Sequence, residues 1–201
     1  LNPFLPEAIQ RHLVLASESA RRREILERLG FEFEVLPTGI EENGLEAREP
    51  TAFAKLLAER KARSAAALRP DALIIAADTI VVCRGEILGK PSGAADARRM
   101  LELLSGRRHE VISGVALRAP GQEPLVEAET TGVYFRKLAR GEIERYIETA
   151  EPFGKAGAYA IQGYAAPFVR KIEGCYFNVV GLPVSLLFDM LGRLENGASR
   201  I

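Results

Sequence analysis

Apolar positions along the chain follow two spacings, and the switches between them predict the elements. "HLVLAS" (12–17) is a short apolar run ended by small polar residues, which predicts a buried strand and a turn. "SARRREILERLG" changes to helical spacing, with Ser19 placed to cap the helix and Gly30 to stop it. "FEFEVLP" alternates strictly and predicts a strand with one buried face, and residues 38–49 are polar and loop-like. "PTAFAKLLAERKARSAAAL" (50–68) reads as a long helix with Pro50 in its first turn. "ALIIAADTIVV" (72–82) is apolar at both parities and β-branched, as a central strand is.

"CRGE" predicts a turn into "ILGKP", after which Ser92 caps a helix closed by Gly106. "HEVISGVALRA" and "LVEAETTGVYFRKL" read as strands joined through "PGQEP". "ARGEIERYIETA" is a short helix, "FVRKIEG" a strand, and "PVSLLFDMLGRLE" a closing helix begun by Pro183. Early alternation of helix and strand, followed by consecutive strands, predicts a mixed-sheet α/β protein. No repeat or linker divides it, so residues 1–201 read as one domain.

Composition narrows the function classes. The 201 residues carry 27 basic and 27 acidic side chains. A balance of zero argues against nucleic acid or a membrane surface as partner, since both favour a basic chain. Cys83 and Cys175 lie far apart with no CxxC spacing, as expected of a reducing compartment. No apolar run reaches the roughly 18 residues of a membrane helix. Residues 1–12 have neither the basic nor the apolar region of a secretion signal, so the expected location is the cytoplasm.

Several residues do not suit the apolar pattern around them. Asp78 interrupts the most apolar strand; it either meets a compensating cation or lies at a strand end and caps a turn. Spacing the 50–68 helix at about 100° per residue puts Phe53, Ala54, Leu57, Ala58, Ala65 and Leu68 on one arc with Lys61 at its centre. Lys61 therefore either pairs a buried anion or runs its stem along the stripe to water. Arg21, Arg22 and Arg23 crowd the positive end of a helix, where the dipole disfavours cations. Arg22 aligns with Ile25, Leu26 and Leu29 and faces inward. Free N–H groups and arginine forks there suit a phosphate; a solvated basic patch is the other reading, and Arg23 belongs to it.

"EILGKPS" holds Lys90 between Gly89 and Pro91, but it is not a P-loop: Gly85 and Gly89 are too close and proline follows the lysine. "EPFGKAGAYAIQG" (151–163) carries Lys155, Tyr159 and Gln162. The Gln162 amide both donates and accepts, which suits the edge of a base, whereas a loop packing its glycines closely needs no ligand. Together these groups suit a nucleoside polyphosphate with a divalent metal.

The motifs "LASESARRREIL", "ERKA", "ADTIV", "GKP", "LSGRRHEVISGVAL", "EPFGKAGAYAIQG" and "VVGLP" occur in the order found in the Maf family, which the chain resembles over about residues 12–192. That family is similar to nucleotide house-cleaning enzymes and was once described as septum-formation inhibitors. The resemblance implies an elongated mixed sheet flanked by helices, with two lobes around a central cleft as in ITPase-like proteins. It also implies hydrolysis of nucleoside triphosphates to monophosphate and pyrophosphate with Mg²⁺ or Mn²⁺. "GAYAIQG" resembles the branch acting on dTTP and UTP, in which Arg21, Thr79 and Gln162 match positions associated with pyrimidine choice. The chain departs from the family at Ala20 (usually proline), Gly154 (usually aspartate) and Cys175 (commonly serine).

On that resemblance Asp78 is expected to hold the metal, to accept a proton from the attacking water, or both. Glu42 or its neighbour Glu41 is the second carboxylate, with Glu42 favoured by the family pattern. Arg21, Arg22, Lys61 and Lys90 are expected to neutralise phosphate charge, Ser17 to hydrogen-bond a phosphate, and Lys155 to contact phosphate or Asp78. The alternatives are a non-catalytic nucleotide-binding regulator of cell division and a pyrophosphatase for noncanonical purine triphosphates. A homodimer is compatible with such an enzyme, though no exposed apolar stripe demands one.

Overall fold

The computed structural model describes residues 2–5, 7–39 and 49–198. The elements run α1 (Glu7–Gln10), β1 (Leu13–Ala16), α2 (Ala20–Arg28), β2 (Glu34–Val35), α3 (Pro50–Leu68), β3 (Leu73–Cys83), β4 (Glu86–Leu88), α4 (Ala94–Leu104), β5 (Arg108–Arg118) and β6 (Leu125–Phe135). Then come α5 (Arg140–Glu148), two single 3₁₀ turns, β7 (Val169–Glu173), α6 (Tyr176–Val180) and α7 (Val184–Ala198). The fold is mixed α/β: a seven-stranded sheet ordered β2-β1-β3-β5-β6-β7, with β4 paired to β3. β1 is parallel to β2 and β3, whereas β4 and β7 run antiparallel to β3 and β6.

The chain divides into two compact units: Leu1–Asp78 with Ser113–Glu129 and Gly181–Ile201, and Thr79–Ile112 with Thr130–Val180. Strands β3, β5 and β6 each begin in one and end in the other. Among the described residues no helix is long and apolar enough to cross a membrane.

In the first unit small side chains bring α3 close to the sheet. Ala58, Ala62, Ala65 and Ala66 pack on Val14, Ala16, Ile74 and Ala76. Val14 is registered with Ile74 and Ala16 with Ala76, so these positions share one face. On the same face a Cβ added to Gly114 would fall 2.2 Å from the Ala54 carbonyl oxygen. Glycine is required there because the helix backbone occupies the space a side chain would need. α3 starts at Pro50, and the Glu49 carboxylate accepts from the Thr51 and Ala52 amides at 3.0 and 2.7 Å.

Three expectations need correction. The "FEFEVLP" strand shrinks to Glu34–Val35, both exposed; Phe31 is buried before the strand begins. Leu68, placed on the buried arc of α3, is 57 % exposed because the helix ends there, past the sheet contact. Ser92 is not the cap of α4: Gly93 occupies that position, and Ser92 instead donates through its amide to Asp96 at 3.0 Å. The sequence reading also has no counterpart of α6, a five-residue helix with too few apolar positions to set a period.

Candidate active site

Residues 74, 76 and 78 alternate onto the face of β3 that α3 covers, so Asp78 lies two positions beyond Ala76 in the direction of the helix. Lys61 reaches it from α3, and its Nζ donates to Asp78 Oδ1. Both side chains are largely withdrawn from water, 15 % exposed for Lys61 and 7 % for Asp78. Each residue thus meets the partner its apolar surroundings require, and neither the capped turn nor the solvent-directed stem is what the structure has. Thr79, the next residue, is half-buried and alternates to the opposite face.

The turn after β1 carries the second group. Ser17 is buried, and its Oγ accepts from the Ser19 amide at 3.2 Å and from Arg22 Nη1 at 3.1 Å. Ser19 caps α2, accepting from the Arg22 amide at 3.4 Å. Arg22 is buried, and its Nε donates to the Gly181 carbonyl at 2.8 Å. The inward-facing arginine thus braces the turn after β1 against the segment before α7. Arg21 is half-buried, and exposed Arg23 lies 3.5 Å from Glu27 across one helical turn, the solvated role expected of it.

Lys90, Lys155 and Gln162 belong to the second unit. Lys90 is exposed on the loop after β4, and Gly89 beside it accepts from the Gly157 amide at 3.1 Å. That bond ties the Lys90 loop to the segment carrying Lys155 and Gln162. Gly157 has φ +67, and a Cβ there would meet the Val81 side chain at 2.9 Å. Lys155 Nζ donates to the Glu151 carbonyl at 2.6 Å. Gln162 is exposed, while Ile161 before it is buried. Gly154, at φ +74, has nothing within 4 Å of an added Cβ. The space is open, but the left-handed backbone would strain a side chain at that position.

Glu41 and Glu42 lie outside the described residues. Among the described residues no group of three or more His, Cys, Asp or Glu side chains is arranged to hold a metal ion.

Sequence reasoning missed two groups in the second unit. Glu151 receives hydrogen bonds from Tyr146 and from the turn after Gln162. His109 is buried with Nε2 at 2.9 Å from the Tyr159 hydroxyl, its ring edge-on to Phe135 at 4.9 Å. Burial, with the charge of Arg108 second, lowers its pKa from 6.5 to about 3, so the ring is neutral at physiological pH. Cys175, by contrast, is held through its backbone: its amide donates to Thr131 Oγ1 at 3.1 Å and its carbonyl accepts from the same hydroxyl at 3.2 Å.

The family model for Maf-like protein matches residues 12–194. The chain belongs to the Maf family. It is 52% identical over 180 residues to a protein of Citrifermentans bemidjiense named dTTP/UTP pyrophosphatase, covering 89% of this chain and 93% of that one. A Pelotomaculum thermopropionicum protein of the same name is 47% identical over 182 residues, covering 90% of this chain and 95% of the relative. Among solved structures, the Ham1 protein of Staphylococcus aureus matches 61% of this Maf chain and 71% of its own, with 17% identity and a TM-score of 0.43.

Proposed function

We propose that this Maf protein is a nucleoside triphosphate pyrophosphatase that hydrolyses dTTP and UTP to the monophosphate and pyrophosphate. The observation that carries the reading is its near-50% identity, over almost the full length of both chains, to relatives named dTTP/UTP pyrophosphatase. The buried Lys61–Asp78 pair supplies chemistry suited to that reaction.

In this reading Asp78 accepts a proton from a water whose oxygen attacks the α-phosphorus. The α–β phosphoanhydride bond breaks, and pyrophosphate leaves with the bonding electrons. Lys61 fixes the direction of the carboxylate, and the cations Arg21, Lys90 and Lys155 offset charge gathering on the leaving group. Ser17 offers a hydroxyl to a phosphate, and Arg22, bonded to it, holds that hydroxyl in place. Gln162 reads the pyrimidine edge, with Arg21 and Thr79 contributing to base choice. A divalent cation, Mg²⁺ or Mn²⁺, belongs to this reading, with Asp78 as its protein ligand and Glu42 as the second carboxylate. Mg²⁺ is commonly held by one or two carboxylates together with substrate phosphates, a donor set that one buried aspartate fits. When bound, the ion neutralises phosphate charge. Nucleotide turnover and two free cysteines accord with a cytoplasmic location.

Purified protein incubated with dTTP or UTP and Mg²⁺ or Mn²⁺ is expected to release monophosphate and pyrophosphate. Diphosphate with orthophosphate would reject the α–β bond as the site of cleavage. Binding without turnover would make the protein a nucleotide-responsive regulator, and preference for ITP over dTTP would move it to the noncanonical purines.

A further inference from the structure

We infer that Glu151 is a positioning residue for base selection: its carboxylate closes residues 151–165 into a fixed loop and so sets how Gln162 is presented. The inference rests on the function proposed above and adds to it a residue with no direct part in the chemistry.

The loop is pinned on both sides of Gln162. Tyr146, buried on α5, donates its hydroxyl to Glu151 Oε1 at 2.9 Å and accepts from the Ala160 amide at 3.2 Å. Its ring is held edge-on to Phe168 at 5.1 Å. After Gln162, the Tyr164 amide donates to Glu151 Oε2 at 3.1 Å and the Ala165 amide to Oε1 at 3.4 Å. The Gly163 amide closes a tight turn onto the Ala160 carbonyl at 3.1 Å, with Ile161 buried and Gln162 exposed between them. A single carboxylate therefore ties α5, the start of the loop and the turn that follows Gln162.

Gly163 gives independent support. A Cβ at that position would fall 2.0 Å from Glu151 Oε2, inside the carboxylate itself. A side chain there would have to push the Glu151 carboxylate off its hydrogen bonds, so the glycine of "IQG" leaves the carboxylate its place. Lys155 is bonded to the Glu151 carbonyl, so replacing the side chain acts on the Gln162 turn and leaves that contact in place.

An amide that both donates and accepts discriminates between bases only when its direction is fixed before the ligand arrives. Glu151→Gln keeps the size but turns one acceptor into a donor facing N–H groups. Gly163→Ala opens the same closure from the other side. Steady-state kinetics with dTTP, UTP, dCTP and dATP, on folded protein checked by circular dichroism, test the idea. Both variants are expected to lose about tenfold in kcat/KM for dTTP and UTP, mainly through KM, while the values for dCTP and dATP stay close to the parent's. The preference for dTTP then narrows. A purely structural role would lower all four nucleotides together and leave the preference intact, and that result would overturn the inference. A parent that turns over neither dTTP nor UTP overturns the functional reading as well, whereas an active parent with unchanged preference in both variants overturns only the role of Glu151. Should Glu151→Gln and Gly163→Ala fail to fold, Tyr146→Phe removes a single hydroxyl from the closure, and unchanged preference in that variant would count equally against it.

Discussion

Lys61 and Asp78 are unequal partners, and the inequality can be measured. Asp78 is the more deeply buried, so removing its cation strands a carboxylate away from water. Lys61→Met is expected to lower unfolding free energy by about 3–5 kcal/mol. Asp78→Asn leaves a neutral amide that still hydrogen-bonds, next to a lysine that retains some access to solvent, and should cost less while abolishing turnover. Urea denaturation of the two variants checks the order; a larger loss for Asp78→Asn would show that other groups compensate the carboxylate. Both residues were legible in the sequence because each breaks an apolar pattern within its own element. Glu151 and His109 break no local pattern. Their roles come from Tyr146, Gly163 and Tyr159, which the fold brings to them, so no spacing rule points to either. Arg22 was legible as inward-facing, but its carbonyl partner, Gly181, is 159 residues away and was not.

At the level of elements, the beginning of α2 shows how a family departure acts. Ala20 is the first helical residue, and Ser19 before it has φ −69 and ψ 111, an extended conformation that a following proline permits. Proline is favoured at this position because its fixed φ suits the helix and its missing N–H is not needed there. Ala20→Pro should therefore stabilise the protein by about 0.4–1 kcal/mol, largely by restricting the unfolded chain. Thermal melts of parent and variant check it, and a lower melting temperature would mean that the Ala20 amide has a partner worth more than that restriction. Long periodic elements such as α3 and β3 were readable because burial on a helix stripe or on both strand faces leaves a sustained pattern. The short ones were read less well: the alternation of "FEFEVLP" gave the β2 strand but overran its two residues, five residues of α6 are too few to show a period, and the α4 cap position falls on Gly93 with no side-chain capping bond while the Ser92 amide donates to Asp96.

At the scale of the whole molecule, the chain crosses between its units at 78/79, 112/113, 129/130 and 180/181, so neither unit is a contiguous segment. Because β3, β5 and β6 are shared covalently, unfolding that begins in the second unit should be recorded by the whole chain. His109 supplies the acid-sensitive element. Its folded pKa of about 3 lies below the ordinary 6.5, so between those values the unfolded chain binds the proton and the folded one does not. Stability contributed by the neutral ring is complete above pH 6.5 and is lost as pH falls toward 3, at up to about 1.4 kcal/mol per pH unit. Protonation would make both ring nitrogens donors in need of acceptors, and Nδ1 is buried with no hydrogen-bond partner among the described residues. Paired carboxylates such as Glu142, lowered from 4.5 to about 2 by the Arg136 fork and the Ala139 amide, lose their contribution only below about pH 4.5. The interval from pH 6.5 to 5 therefore isolates the histidine. Over it the parent should lose about 2 kcal/mol by urea denaturation, and His109→Gln, which keeps a polar group beside Tyr159, should lose little. Equal slopes in the two proteins would mean that the ring gains a proton without unfolding, through water entering beside Nδ1.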